Sequence, residues 1–249
     1  MRYSTGCLAI GLCVLACGAQ VRADVITNTL DDFTGPATGL PTTTSSDIAA
    51  VYDTGVNGVL GGSRGYKVTH VTPATGSDSV SASIDTGAGT LTYSSTSGAS
   101  GWLDLAYGGQ FEGIPAGLSG IVFSEPVSAG STISFHFDAV SGVSPANPLA
   151  IAMALFDVQS STTYDPFPPT QVTSNGAQTV TYTFPAGTGI ANLNDVNFYF
   201  EAPVGASYVL DSITLTSTVT PTPEPASAMA LVVGGIVLGS RRRRDCRAV

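Results

Sequence analysis

Hydrophobic and polar residues alternate with a period of two through most of the chain between residues 24 and 219. Ile133, Phe135 and Phe137 share one face of a segment whose other face carries Ser134, His136 and Asp138. Val180, Tyr182 and Phe184 alternate with Thr179, Thr181 and Thr183, and Val196, Phe198 and Phe200 with Asn197, Tyr199 and Glu201. Leu91 and Tyr93, then Leu103, Leu105 and Tyr107, repeat the pattern. A period of two is the mark of a strand with one buried face. No stretch of this region shows apolar residues at i, i+3, i+4, i+7 over a helical length. Leu149 to Phe156 is instead a continuous apolar run, which predicts a central strand buried on both faces. Gly, Pro and Asn clusters separate the runs. The pattern predicts about ten to twelve short strands in an all-β fold, a single antiparallel β-sandwich of jelly-roll-like type over 24–219. Tyr208 to Leu215 breaks its own alternation: Tyr208 and Leu210 share a parity that Ile213 and Leu215 do not. One extra residue near Asp211 and Ser212 restores it, so a bulge is expected there.

The two ends follow different rules. Residues 1–23 combine Arg2, the apolar stretch Leu8–Ala16 and the small-residue site Val21-Arg22-Ala23. That stretch is too short to span a bilayer, and the segment reads as a secretory signal peptide cleaved before Asp24. The alternative is a lipoprotein signal cleaved before Cys17, since Val14 to Gly18 loosely fits a lipobox. At the other end, residues 220–249 begin with Pro221-Thr222-Pro223-Glu224-Pro225, a stiff extended spacer. An apolar segment (226–239) and four arginines, Arg241, Arg242, Arg243 and Arg244, follow. This is the order of a short hydrophobic anchor helix with a cytoplasmic basic stop. Its 14 residues reach about 21 Å at about 1.5 Å per residue, against a hydrocarbon core of about 30 Å. Snorkelling arginines make up part of the difference.

Pro223-Glu224-Pro225, the apolar segment with Gly234-Gly235 inside it and the Arg241–Arg244 cluster together resemble the PEP-CTERM sorting signal. The resemblance implies recognition and processing by an exosortase, a membrane-embedded enzyme of exopolysaccharide-producing bacteria. It also implies a membrane-anchored precursor, then delivery to the cell surface or extracellular matrix. An ordinary tail anchor that stays attached is the alternative. Within the body, Leu30-Asp31-Asp32-Phe33 followed by Val59-Leu60-Gly61-Gly62-Ser63-Arg64, and the closing Tyr208 to Leu215, resemble galactose-binding-like and carbohydrate-binding jelly rolls.

Composition changes the picture once it is divided in this way. The whole chain has a formal charge of −9, but residues 24–219 hold two bases, Arg64 and Lys67, against 16 acids, a formal −14. All four cysteines lie outside that region. A strongly acidic body excludes a nucleic-acid binder, which needs a basic face for phosphates. Gly61-Gly62-Ser63-Arg64-Gly65 satisfies G-x-S-x-G, but a strand follows where a hydrolase elbow needs a helix, so a turn is expected. His70 and His136 sit in strands without metal-ligand spacing. No catalytic set is recognisable, and the chain is expected not to be an enzyme, although two carboxylates of a glycan-active enzyme need only the right separation. No cofactor is implied. Asn192, Asn194, Asp195 and Asn197 form the densest oxygen-donor cluster, and a structural calcium on Asn192, Asn194 and Asp195 is the candidate metal site. Sugar binding would use aromatic faces with nearby polar groups, and the candidates are Trp102, which alternates away from Leu103 and Leu105, and Tyr164, Asp165 and Phe167 in a Pro-rich loop. The expected function is a structural or adhesive β-sandwich of the cell surface, with a carbohydrate-binding module for extracellular polysaccharide as the alternative.

Overall fold

The alternating segments form strands whose apolar faces meet. The computed structural model describes residues 24–37, 42–43, 51–70, 78–108, 124–157, 162–164 and 168–219. The signal segment 1–23 and the spacer, apolar segment and arginines of 220–249 lie outside the described residues. Among the described residues there is no helix beyond a three-residue 3-10 turn at Leu60–Gly62.

One seven-stranded sheet has the order β13 (Gln178–Thr183), β9 (Thr132–Ser141), β16 (Ser207–Val219), β6 (Thr90–Ser95), β5 (Val80–Asp85) and β2 (Thr42–Thr43), with β1 (Asp24–Asp31) also on β16. The other has the order β11 (Thr162–Tyr164), β10 (Leu149–Asp157), β15 (Asp195–Ala202), β7 (Gly101–Gly108), β4 (Ser63–His70) and β3 (Val51–Thr54), with β12 (Thr170–Val172) also on β10. A third pair joins β8 (Glu125–Ser128) to β14 (Gly189–Leu193). Every pairing with a defined register is antiparallel. The strands beyond the expected number are short ones of two to five residues at edges and ends. The chain changes sheet after β2, β4, β6, β7, β8, β9, β12, β13, β14 and β15, so many neighbours in space are remote in sequence.

The two inner faces form one core. Phe135 of β9 meets Phe198 and Phe200 of β15 edge-on, with ring centroids 5.1 and 5.6 Å apart. Tyr208 of β16 stacks on Tyr93 of β6 at 4.9 Å and lies 5.8 Å from Phe200 of the opposite sheet. Burying each such ring stabilises the fold by about 2–3 kcal/mol, which is how a cysteine-free domain holds together.

Two expectations are refined. In β10, Leu149, Ile151, Met153 and Leu155 enter the core; on the other face Ala154 is buried, while Ala150 and Ala152 are half-buried. From Leu149 to Leu155 the continuous apolar run is an alternation of large and small residues, and its outer face is covered at Ala154 but open at Ala150 and Ala152. In β16 the bulge is present: the register against β9 shifts between Val209 and Ser212. Tyr208, Leu210, Ile213 and Leu215 all reach the core because of it. β9 has a matching irregularity at Asp138 and Ala139, which are exposed between buried Phe137 and Val140.

Candidate functional site

The site follows from parity. Leu103, Leu105 and Tyr107 of β7 point into the core, so Trp102, Asp104 and Ala106 point outward. On β15, Val196, Phe198 and Phe200 point inward, leaving Asn197, Tyr199 and Glu201 on the outer face. The ladder then aligns these residues in rows across the strands. One row runs Gln171, Ala150, Glu201, Trp102, Thr69. The next runs Ala152, Tyr199, Asp104, Lys67. A third runs Ala154, Asn197, Ala106, Gly65, Tyr52. With strands about 4.8 Å apart, the first row crosses about 19 Å of surface.

This face has relief. Trp102, the chain's sole tryptophan, is 38% exposed, and Glu201 beside it is exposed as well. Ala150 and Ala152 form a low shelf on the other side of β15. An open cavity of about 360 Å³ adjoins the same end of the sheet, lined by Ala150, Glu201, Asn147, Pro148 and Val204. Asp104 and Asn197 face outward yet are buried. Gly65 keeps the third row flat: a Cβ there would meet the Tyr52 ring at 2.9 Å. A tryptophan face flanked by a carboxylate, with hydroxyl and amide groups in the same row, can stack on the C–H face of a ring while hydrogen-bonding its hydroxyls.

Of the residues singled out in the sequence, Trp102 lies on this face. Tyr164 ends β11, its backbone opposite Leu155; its side chain, with Asp165 and Phe167, lies outside the described residues. Asn192 is in β14, where its Oδ1 accepts a hydrogen bond from Ser124 at 2.9 Å. Asn194 and Asp195 are buried at the start of β15. Among the described residues no group of three or more His, Cys, Asp or Glu side chains is placed to hold a metal ion. His136 lies between Thr179 and Thr214 on the outer face of the other sheet. Ser63 opens β4 directly after the 3-10 turn, so G-x-S-x-G is a turn followed by a strand. Nothing in the sequence alone marks Glu201, Tyr199, Asp104, Thr69 and Gln171 as members of one site. Their parity was readable, but their neighbours across the ladder were not.

A second constellation explains the Asp31-Asp32-Phe33 and Gly61-Gly62-Ser63-Arg64 segments. Arg64 is fully buried; its Nη1 donates to both Asp31 oxygens at 2.9 and 3.1 Å, and its Nη2 donates to the Gly35 and Pro36 carbonyls at 3.1 Å. Its Nε lies 3.5 Å from Asp53 Oδ2, which also accepts from the Tyr66 hydroxyl at 2.6 Å. Asp31 accepts further from the Phe33 amide and the Tyr107 hydroxyl. Phe33 has φ 54°, a left-handed conformation rare for a large residue, with its ring buried and Arg64 Cζ 5.9 Å from the ring centroid. Burial pushes the Asp31 carboxyl up to about 6, against the pull of Arg64. The network faces the core and is structural: it pins the segment after β1 to β4 and β7.

No family model and no curated protein matches the chain. Among solved structures it is similar to the enzymatically active domain of bacteriophage CBA120 tailspike protein 4, at 13% identity and TM-score 0.34, over 62% of this chain but 19% of that one. It is also similar to the xylan-binding module CBM15, at 13% identity and TM-score 0.34, over 80% and 100% of the two chains. A third is CtCBM11, at 15% identity and TM-score 0.34, over 81% and 99%. At these scores the likenesses assign no ligand; the site rests on the strands and side chains described above.

Proposed function

We propose that this chain is an exported β-sandwich that binds extracellular polysaccharide through the outer face of the β7–β15 sheet. The observation that carries the reading is Trp102, exposed in a row with Gln171, Thr69 and Glu201, the last of which lines an open cavity. The protein acts by binding, without a catalytic step. The full chain, purified in mild detergent, is expected to be retained by at least one immobilised polysaccharide. Trp102→Ala is expected to weaken that retention at least tenfold, as loss of a stacking aromatic anchor does, with unchanged far-ultraviolet circular dichroism. Retention on none of a broad panel would leave a structural or adhesive role in the envelope.

Delivery is part of the same proposal. Pro223-Glu224-Pro225, the apolar segment and Arg241–Arg244 stand in the order of an exosortase sorting signal. Processing at this tail would pass a membrane-anchored precursor to the cell surface or matrix, where polysaccharide is the ligand at hand. Substituting Pro223 and Glu224 by alanine is expected to leave an unprocessed, larger form in the membrane fraction. An unchanged mass and location would count against the sorting role. Mass spectrometry of the mature N-terminus distinguishes a start at Asp24 from a lipidated Cys17.

A further inference from the structure

Resting on the glycan-binding reading, we propose that the site selects uncharged glycans over acidic ones and that Glu201 is the residue that sets this selectivity. Three observations converge. Residues 24–219 contain two bases, and Arg64 is fully buried beneath the sheet, so it cannot meet a ligand on the outer face. Lys67, the other, is half-buried and stands in register opposite Asp104 on that face, so a ligand that meets its charge meets a carboxylate position beside it. Glu201 is exposed, stands opposite Trp102 in the ladder, and also lines the adjoining cavity.

A sugar stacked on Trp102 therefore has a fixed negative charge next to it. Adjacent strands are about 4.8 Å apart, inside the Debye length of about 8 Å at physiological salt, so this charge is only partly screened. A uronate or sulfate on the stacked ring, or on the next one along the row, meets repulsion from Glu201 and from the net charge of the body. Hydroxyls of a neutral ring instead donate to the Glu201 carboxylate in charge-assisted hydrogen bonds. Rejection by a like charge and attraction of hydroxyls come from the same group, the arrangement that separates close competitors most efficiently.

The test uses the full chain with tail residues Arg241–Arg244 and Arg247 changed to serine, so that the tail offers no cation to an acidic polymer. It compares that chain, in mild detergent, on neutral polysaccharides (xylan, mannan, mixed-linkage glucan) and on uronate polymers (alginate, pectate); this chain with Glu201 intact is the wild type of the comparison. The wild type is expected to bind at least one neutral polymer at least tenfold more tightly than any uronate polymer at low salt. Added monovalent salt is expected to narrow that gap. Glu201→Lys is expected to narrow it roughly tenfold and Glu201→Gln about threefold, as one reversed or one removed charge a few ångströms away predicts. Glu201 is exposed, so neither change threatens the fold, and near-ultraviolet circular dichroism checks this. Equal or tighter binding of uronate polymers by the wild type would overturn the selectivity and leave the glycan-binding reading standing. An unchanged ratio in both variants would remove Glu201 from the role. Binding to no polymer of either class would overturn the glycan reading itself, and this inference with it.

Discussion

Arg64 and Asp31 carry opposite charges in the same buried site, but they are not equally replaceable. Asp31 shares Arg64 with Asp53 and two carbonyls, so Asp31→Asn leaves the guanidinium with most of its partners. Arg64→Met, by contrast, leaves a buried carboxylate whose remaining partners are an amide and a hydroxyl. Breaking a buried pair in that way costs about 3–5 kcal/mol, and we expect Arg64→Met to lie in that range and Asp31→Asn well below it in urea denaturation at pH 7.5. The sign of the pH dependence follows from burial, which raises the Asp31 carboxyl to about 6 from its ordinary value of 3.8. Between those two values the folded state holds the proton more tightly than the unfolded state does. The Asp31 contribution to stability therefore rises as pH falls through this window and is lost as pH rises above it. The wild type should gain stability relative to Asp31→Asn between pH 7 and pH 4.5. The deficit of Arg64→Met should shrink over the same range, because its stranded carboxylate becomes neutral. Parallel pH profiles for all three proteins would show that Asp31 titrates as an ordinary carboxyl.

At the scale of the strand, the bulge in β16 decides which residues are core. Tyr208 and Leu210 face inward, and without the extra residue Ser212 and Thr214 would follow them. With it, Ile213 and Leu215 are buried and Thr214 is half-buried on the outer face beside His136. Ile213→Thr should therefore cost about 2–3 kcal/mol, through lost apolar burial and a hydroxyl placed in the core. Thr214→Ile should cost under about 1 kcal/mol. A straight strand reverses that order, so the two urea midpoints discriminate. This break in alternation was legible in the sequence, as were the inward faces of β9, β13 and β15, because parity is a local property. The switch in β9 from Phe137 to Val140 is equally local, but in the sequence Asp138 and Ala139 have the look of an ordinary strand end. What parity could not supply is which strands are neighbours. Trp102 and Glu201 are partners across an antiparallel pair whose members lie about a hundred residues apart, and Asp31 meets Arg64 across a shorter gap of 33. Trp102 was therefore visible as an outward aromatic, while the row that gives it company depends on long-range pairing.

For the whole molecule, the governing quantity is the −14 of the body, not the −9 of the full chain. Sixteen acids against two bases leave the body with a large excess of negative charge, and its self-repulsion is weaker in the expanded unfolded chain. Monovalent salt screens exposed charges beyond a Debye length and leaves the buried Asp31–Arg64 pair almost untouched, since that pair is enclosed by protein. Salt should therefore stabilise this domain: Tm is expected to rise by about 2–5 °C between 10 and 300 mM sodium chloride, corresponding to roughly 1 kcal/mol for a domain of this size. The Arg64→Met variant should show the same rise, because the responsible charges are on the surface. Potassium chloride should act as sodium chloride does, since screening depends on ionic strength and not on the identity of the cation. A flat or falling Tm would mean that favourable surface pairs outweigh the repulsion, which two bases could achieve only if Lys67 contributed far more than an ordinary exposed pair. The same repulsion acts between molecules. In a matrix rich in acidic polymer it would keep the body dispersed and leave recognition to the neutral chains that the Trp102 face can stack upon.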